Sequence, residues 1–352
     1  MKLLSVIIPL YNSAQWLPKC LDSVLTQDVA EEDLEIICIN DGSPDDSERI
    51  ARQYQVEHPA SVVVLSQENL GPSGARNNGM RNATGKYLCF VDPDDYVEPN
   101  VFGGLLKKME EEQLDMLRFD YRIVDEGYQP VNKRDFELAF DYSSCVMSGA
   151  EFLANRLDIA CNIWRYFYRT DLIVRNQIWC FTGDYFDDTP WLPLVLLKTE
   201  RMGVCDTVVY DYQERSDSLV KTKDPKAVKR KNDGFFLLIR LLQEEKRGLQ
   251  GEEMHYPSMK VLSSLCLDES VRDKVLLWYE RMIAHTALSL MTSTAVLDSK
   301  SMDSNLTRLR ELRVFPLSQY GASANNRRKI RWFNRFPRLM MKALQVKNGF
   351  KN

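Results

Sequence analysis

Short apolar runs alternate with amphipathic stretches through the first hundred residues. Leu3–Ile8, Leu34–Ile39, Val62–Leu65 and Tyr87–Val91 are apolar almost throughout, the pattern of strands covered on both faces. Between the first two, Ser13–Gln27 places Trp16, Cys20, Leu21, Val24 and Leu25 on one helical face. Asp45 or Asp46 caps a helix expected to run to about His58. Ser73 caps another behind the turn Gly71-Pro72-Ser73-Gly74. Pro9 is expected to end the first strand, and Glu98-Pro99 to open a helix through about Glu112.

This alternation predicts an α/β fold with a mostly parallel central sheet and helices on both faces. Ligands of such sheets bind at the carboxyl ends of strands. Four polar motifs fall there and are expected to line one cleft: Tyr11-Asn12, Asp41-Gly42, Asn69–Gly71 and Asp92–Asp95. Further on, Met116–Tyr121 and Val208–Tyr212 read as strands, and Gly149–Leu157 and Asn162–Val174 as helices. Residues 125–148 read as loops with short strands. Beyond Lys221, Ala227–Glu245 and Asp273–Met291 are long amphipathic helices. The expected organisation is a domain of residues 1–225 and a mainly helical C-terminal region of residues 226–352.

Of 352 residues, 44% are hydrophobic and 27% charged, which suits a globular chain with a sizeable core. Nine Lys/Arg and no Asp/Glu lie from Arg327 to the end, so a chain of net charge −4 has a body at −13. An acidic body argues against nucleic acid as a partner. The eight cysteines form no Cys-x-x-Cys pair, which leaves zinc and redox motifs unsupported and fits a reducing cytosol. The apolar run before Pro9 is too short for a signal peptide, and no run is long enough to span a bilayer. A cytoplasmic location is expected.

The candidate chemistry centres on Asp92, Asp94 and Asp95, three carboxylates within four residues at the tip of a buried strand. Like charges there repel unless neutralised. Mg²⁺ or Mn²⁺ prefers carboxylate and phosphate oxygens, and would keep positions open for a diphosphate. The competing reading is an Asp-Pro turn with solvated acids.

Four motifs occur in order: Ser5-Val6-Ile7-Ile8-Pro9-Leu10-Tyr11-Asn12, Asn40-Asp41-Gly42-Ser43, Asn69–Gly79 and Phe90-Val91-Asp92-Pro93-Asp94-Asp95. The set resembles the signature of family 2 glycosyltransferases with the GT-A fold, over roughly the first 220 residues. The resemblance implies a site that binds a nucleotide diphosphate sugar with Mn²⁺ or Mg²⁺ and transfers the sugar with inversion. It implies that Asp41 accepts a hydrogen bond from the uracil or ribose, with Pro9, Tyr11 and Asn12 as the other wall of the base pocket. Asp94 and Asp95 then contact the metal or the sugar, and Asp92 the ribose or the metal. An Asx turn competes for Asp41, and a half-buried strand-end position for Tyr11. Arg76 pairs with a phosphate or steadies Asp41 or Asp92, unless it is only a solvated helix residue.

Gly183–Trp191 resembles the family's Glu-Asp motif at a helix start, with Asp187 in place of Glu. Asp188 is assigned as the base that takes the acceptor's proton. Helix capping competes, since Thr189-Pro190 reads as a helix start. Tyr210–Ser218 resembles a segment with an aromatic pair before Arg-x-x-Ser. That makes Arg215 a clamp on the diphosphate, or else the surface partner of Asp211 or Glu214. Trp164 and Trp191 suit acceptor stacking and the core equally. His58, His255 and His285 show no metal or triad spacing.

Near the C-terminus Arg331, Arg335, Arg338 and Lys342 share one helical stripe. Trp332, Phe333, Phe336, Met340 and Leu344 form an adjoining one. Residues 327–352 are therefore expected to make peripheral contact with the inner face of an anionic membrane, as one helix or, because of Pro337, two pieces. The alternative is a capping helix whose aromatics pack on the body. Together these readings predict a metal-dependent inverting glycosyltransferase. Its donor is UDP-linked, and its acceptor a glycan or lipid-linked sugar in capsule, lipopolysaccharide or exopolysaccharide synthesis. A nucleotidyltransferase is disfavoured because Pro9-Leu10-Tyr11-Asn12 stands where a Gly-rich loop is needed. The acids Asp92, Asp94, Asp95 and Asp188 weigh against a non-catalytic binding module.

Overall fold

The computed structural model describes residues 2–131, 145–155, 161–182, 188–215, 224–295, 297, 299–319, 324–340 and 343. Two compact units are present; apart from two short segments, the first ends at Arg215 and the second begins at Ser216. The sequence pattern puts a boundary near residue 225, where the first long helix begins.

In chain order the first unit contains β1 (Leu4–Leu10), α1 (Leu17–Leu25), β2 (Leu34–Asn40), α2 (Ser47–Glu57), β3 (Val62–Ser66), α3 (Gly71–Asn82), β4 (Tyr87–Phe90), β5 (Tyr96–Val97), α4 (Phe102–Glu111) and β6 (Met116–Val124). α5 (Gly149–Asn155), β7 (Tyr166–Arg169), α6 (Thr170–Arg175), α7 (Asp188–Lys198) and β8 (Met202–Gln213) follow. Among the described residues these strands form one sheet, in the order β3-β2-β1-β4-β7-β6-β8-β5. β1 to β4 pair in parallel, as do β6 and β8, while β5 and β7 run against their neighbours. The expected α/β fold is what forms. β1 and β2 are buried throughout, whereas β3 at the sheet edge mixes buried and exposed positions.

Pro9 does not end β1, which runs on to Leu10. Ile7 accepts from the Val91 N–H, so the odd-numbered residues of β1 bond toward β4. The β1–β4 ladder stops at Ile7 and Phe90, so the N–H that Pro9 lacks has no partner to lose. Beyond this point β4 leaves for the acidic motif while β1 stays paired with β2.

Three other expectations are corrected by tertiary contacts. The stretch read as a helix over Asn162–Val174 is a short 3-10 turn, then β7, then α6. β7 is inserted between β4 and β6, and Tyr168 meets Phe90 and Trp191 on one face while Phe167 meets Phe102 and Phe119 on the other. That two-sided aromatic burial overrides helical spacing. α4 begins at Phe102 rather than beside Pro99 because its cap comes from the end of α1. Val101 and Phe102 donate to Gln27 Oε1 at 3.1 and 3.2 Å, and Gly103 to Asp28 Oδ1 at 2.8 Å. Ser73 lies buried in the first turn of α3 instead of capping it.

The second unit holds α8 (Pro225–Leu249), α9 (Glu269–Thr294), α10 (Ser299–Glu311) and α11 (Ala324–Arg335). Asp224 caps α8 by accepting from the Ala227 N–H at 2.8 Å. The core of this unit joins Phe235 and Ile239, Leu290 and Met291, Leu306 and Leu309, and Ile330 and Phe333. Phe333, placed by sequence in the membrane-facing stripe, is therefore buried in its own unit. Pro337 splits the basic stretch, which resumes as helix over 337–340. Lys342 and Leu344 lie outside the described residues. No helix of the described residues is long and apolar enough to cross a membrane. None of the eight cysteines is joined in a disulfide.

α3 packs so closely on β1 that a Cβ added to Gly79 would lie 2.4 Å from Ile7 Cγ2. Gly79→Ala is expected to destabilise the protein by about 1–3 kcal/mol, read as a lowered urea midpoint. An unchanged or raised midpoint contradicts this packing.

Candidate active site

The acidic motif follows β4 where that strand parts from β1. Asp92 accepts from Arg76 Nη2 at 2.7 Å, and Asp94 from Arg215 Nη1 at 2.7 Å. Arg76 is buried on α3, which removes the reading of a solvated helix residue. Arg215 follows β8, and its guanidinium lies 4.0 Å from the centroid of the Trp16 ring. Asp211 is held instead by Arg122, at 2.7 and 2.8 Å. Asp95 is 2% exposed, and both of its oxygens are taken. Oδ2 accepts from the Tyr210 hydroxyl and Oδ1 from the Gln213 N–H, each at 2.7 Å. The Tyr210 oxygen in turn accepts from the Asp92 N–H at 3.0 Å. Pairing of β5 with β8 extends this seam, so β8 fixes the acidic turn from a position more than a hundred residues away.

Among the described residues three carboxylates here face two guanidiniums. Burial, followed by the charge of Asp92, pushes Asp94 above the usual carboxylate range, with Arg215 opposing. Burial, followed by Asp94 and Asp92, pushes Asp95 up strongly. A hard divalent ion fits the surplus of negative charge, because Mg²⁺ takes one or two carboxylates and fills its remaining positions with phosphate oxygens and water. Asp94 is the more accessible ligand. Asp95, buried and bonded to Tyr210 and Gln213, is the less accessible one. Among the described residues no three His, Cys, Asp or Glu side chains are grouped to hold a metal by themselves.

Asp41 sits buried just after β2, where its Oδ1 accepts from Gln67 Nε2 at 2.7 Å and from the Leu70 N–H at 2.9 Å. It thereby pins the entry to α3. The Asx turn at this corner belongs to its neighbour, since Asn40 Oδ1 accepts from the Ser43 N–H at 3.0 Å. Gly42 supplies the left-handed conformation, with φ +67°. Pro9 is buried in β1 and Tyr11 is exposed. Asn12 adopts φ 51° with its N–H on Ser43 Oγ at 2.6 Å. The Asp41 N–H donates to Leu10 O at 3.0 Å, so these residues share adjoining strand ends.

Asp188 opens α7 and accepts from Thr189 Oγ1 at 3.1 Å. Asp187 and the residues from Gly183 before it lie outside the described residues, as do Ser216–Ser218. Trp191 is fully buried and donates to Ile178 O at 3.0 Å. Trp164 stacks on Tyr210, with centroids 4.2 Å apart. Both tryptophans thus serve the protein's own packing. Tyr210, Gln213 and Trp16 were not predicted as site residues. Their contacts join distant segments, and the aromatic pair before Arg215 was the one local signal.

The model of Glycosyl transferase family 2 matches residues 5–146. The chain is 34% identical over 228 residues to the uncharacterized glycosyltransferase EpsJ of Bacillus subtilis (strain 168), covering 62% of this chain and 63% of EpsJ. It is 31% identical over 313 residues to the uncharacterized glycosyltransferase YibD of Escherichia coli (strain K12), covering 85% of this chain and 88% of YibD. S. aureus TarS 1–349, crystallised in complex with UDP, has a similar fold. Its TM-score is 0.66 at 18% identity, over 99% of this chain and 89% of that one. The same TarS segment has also been solved with UDP-GlcNAc.

Asp95 titrates above its unfolded value, so the folded state binds its proton more tightly. Its contribution to stability is present at low pH and lost as pH rises from about 4 through the raised value. Asp95→Asn removes that dependence. Without added metal, the unfolding temperature of the variant minus that of the wild type is expected to increase between about pH 4 and neutrality. A flat or falling difference would show that Asp95 carries no such strain.

Proposed function

The chain belongs to glycosyl transferase family 2, and from that premise we propose a metal-dependent inverting transferase that moves a sugar from a UDP-linked donor to a glycan or lipid-linked acceptor. The observation that carries this reading is the pairing of Asp92 with Arg76 and Asp94 with Arg215, beside the strand ends that hold Asp41 and Tyr11. The fold likeness to TarS, solved with UDP and UDP-GlcNAc, supports a UDP-linked donor.

In this proposal Asp41 accepts from the base or ribose, with Pro9, Tyr11 and Asn12 as the opposite wall. Asp94 holds Mg²⁺ or Mn²⁺ with Asp92 beside it, while Asp95 anchors the turn. When bound, the ion neutralises charge on the leaving diphosphate. Arg215, stacked on Trp16, offers its planar fork to the diphosphate oxygens. Arg76 keeps Asp92 oriented. Asp188 takes the proton of the acceptor hydroxyl as its oxygen attacks the anomeric carbon opposite the departing UDP, which inverts that centre.

The proposal places the reaction at the cytoplasmic face of a membrane, touched by residues 327–352. What supports this is the outer side of α11 and its continuation. Ile330 and Phe333 bury the inner side. Trp332, Phe336 and Leu339 are 50%, 41% and 58% exposed, and they share an arc with exposed Arg328, Arg331 and Arg335. Aromatic rings among arginines suit an anionic headgroup layer. Arg338, assigned to the basic stripe, is instead tied to Asp303 at 2.9 Å.

Asp94→Asn is expected to abolish transfer without loss of helical content by circular dichroism. Asp188→Asn is expected to lower turnover by about 10²–10⁴ while UDP still binds. Full turnover in either variant removes the proposed role. In sedimentation with anionic vesicles, replacing Trp332, Phe336 and Leu339 by Ser is expected to leave the protein in the supernatant. Equal pelleting of variant and wild type ends the membrane reading.

A further inference from the structure

Two guanidinium groups in the first unit stand outside the chemistry described so far. Arg118 of β6 lies directly opposite Tyr166 in the β6–β7 ladder, and Arg165 is the residue before Tyr166. Arg118 is 4% exposed and Arg165 3%. Arg165 Nη2 reaches Asp120 Oδ1 at 3.1 Å, its guanidinium lies 4.4 Å from the centroid of the Tyr121 ring, and its Nε has no partner. Among the described residues the Arg118 side chain makes no hydrogen bond or ion pair, while its backbone is paired in the sheet with Tyr166 and Val204. Burial, and then the charge of Arg118, lowers the Arg165 pKa to about 10. The carboxylate that pairs with Arg165, Asp120, has a side chain 40% exposed. Two adjacent buried guanidiniums with one exposed carboxylate and an orphaned Arg165 Nε are costly, and planar forks of donors match the oxygens of phosphate or carboxylate.

The place of the pair narrows what it would bind. The rings of Tyr166 and Tyr168 are 5.7 Å apart, and Tyr168 lies within electrostatic reach of Asp188. In the other direction Tyr121 meets Trp164 at 5.0 Å, Trp164 stacks on Tyr210, and Tyr210 holds Asp95. The pair is thus a few side chains from the proposed base and a few from the acidic turn. The diphosphate of a donor already has Arg215 beside it. We propose that Arg118 and Arg165 form an anion subsite for a phosphate or carboxylate carried by the acceptor. The assignment to an acceptor rests on the proposed function; the binding of an oxyanion does not.

The test uses the full chain with UDP present and inorganic phosphate as probe, titrated against chloride at constant ionic strength while the unfolding temperature is followed. An acetate titration forms the carboxylate arm. Phosphate, acetate or both are expected to raise the unfolding temperature in a saturable way, and the one that does identifies the chemistry of the occupant. Arg118→Met is expected to weaken the apparent affinity at least tenfold, and Arg118→Lys to keep part of it. UDP affinity should stay unchanged in both variants, so a failure of donor binding is read separately from a failure of this subsite. If Arg118→Met does not fold, the comparison of Arg118→Lys with the wild type decides. A wild type that responds to neither anion beyond chloride, or variants that respond as the wild type does, would overturn the proposal.

Discussion

Three carboxylates within four residues at the tip of a buried strand repel one another, and the first unit is arranged around that repulsion. Asp92 and Asp94 each lean on a guanidinium, from α3 and from the segment after β8. Among the described residues no cation pairs with Asp95. A tyrosine hydroxyl and a backbone N–H hold it, and burial keeps its proton affinity high. The three acids are therefore unequal: one steady, one accessible, one structural. Chemistry and sequence spacing treat them alike; the environment separates them.

The separation depends on how the sheet is ordered. β1 and β4 part after Ile7 and Phe90, which frees the end of β4 to turn. β5 then binds the turn to β8, and β8 delivers Tyr210, Gln213 and Arg215 to it. Deep burial of the aromatic strand β7 stiffens the wall behind, through Phe90, Tyr168 and Trp191. The second charge cluster, Arg118 on β6 and Arg165 just before β7, has the opposite imbalance. An acidic surplus and a basic surplus in one unit are what a substrate with a cation-seeking end and a separate anionic group would need.

Much of this was legible in the residues alone, for physical reasons. Parallel strands covered on both faces must be apolar throughout, so β1 to β4 stand out as runs. Turns at their carboxyl ends need Gly, Pro, Asn and Asp, so the motifs mark the functional edge. The long helices of the second unit show their spacing plainly. β7 did not show, because three adjacent aromatics fit a helix as well as a strand until β4 and β6 enclose them. Nor did the true start of α4, since its cap is borrowed from Gln27 and Asp28.

The sequence by itself determined the α/β alternation, the acidic tip, and the family to which both belong, because those follow from local periodicity and short ordered motifs. Only the tertiary structure decided which acid is tied and which is open, that Trp191 is core, that Phe333 turns inward while Trp332 faces out, and that Arg118 and Arg165 are buried side by side. Each of these depends on a side chain from elsewhere in the chain arriving within bonding distance. Local spacing carries no record of such arrivals.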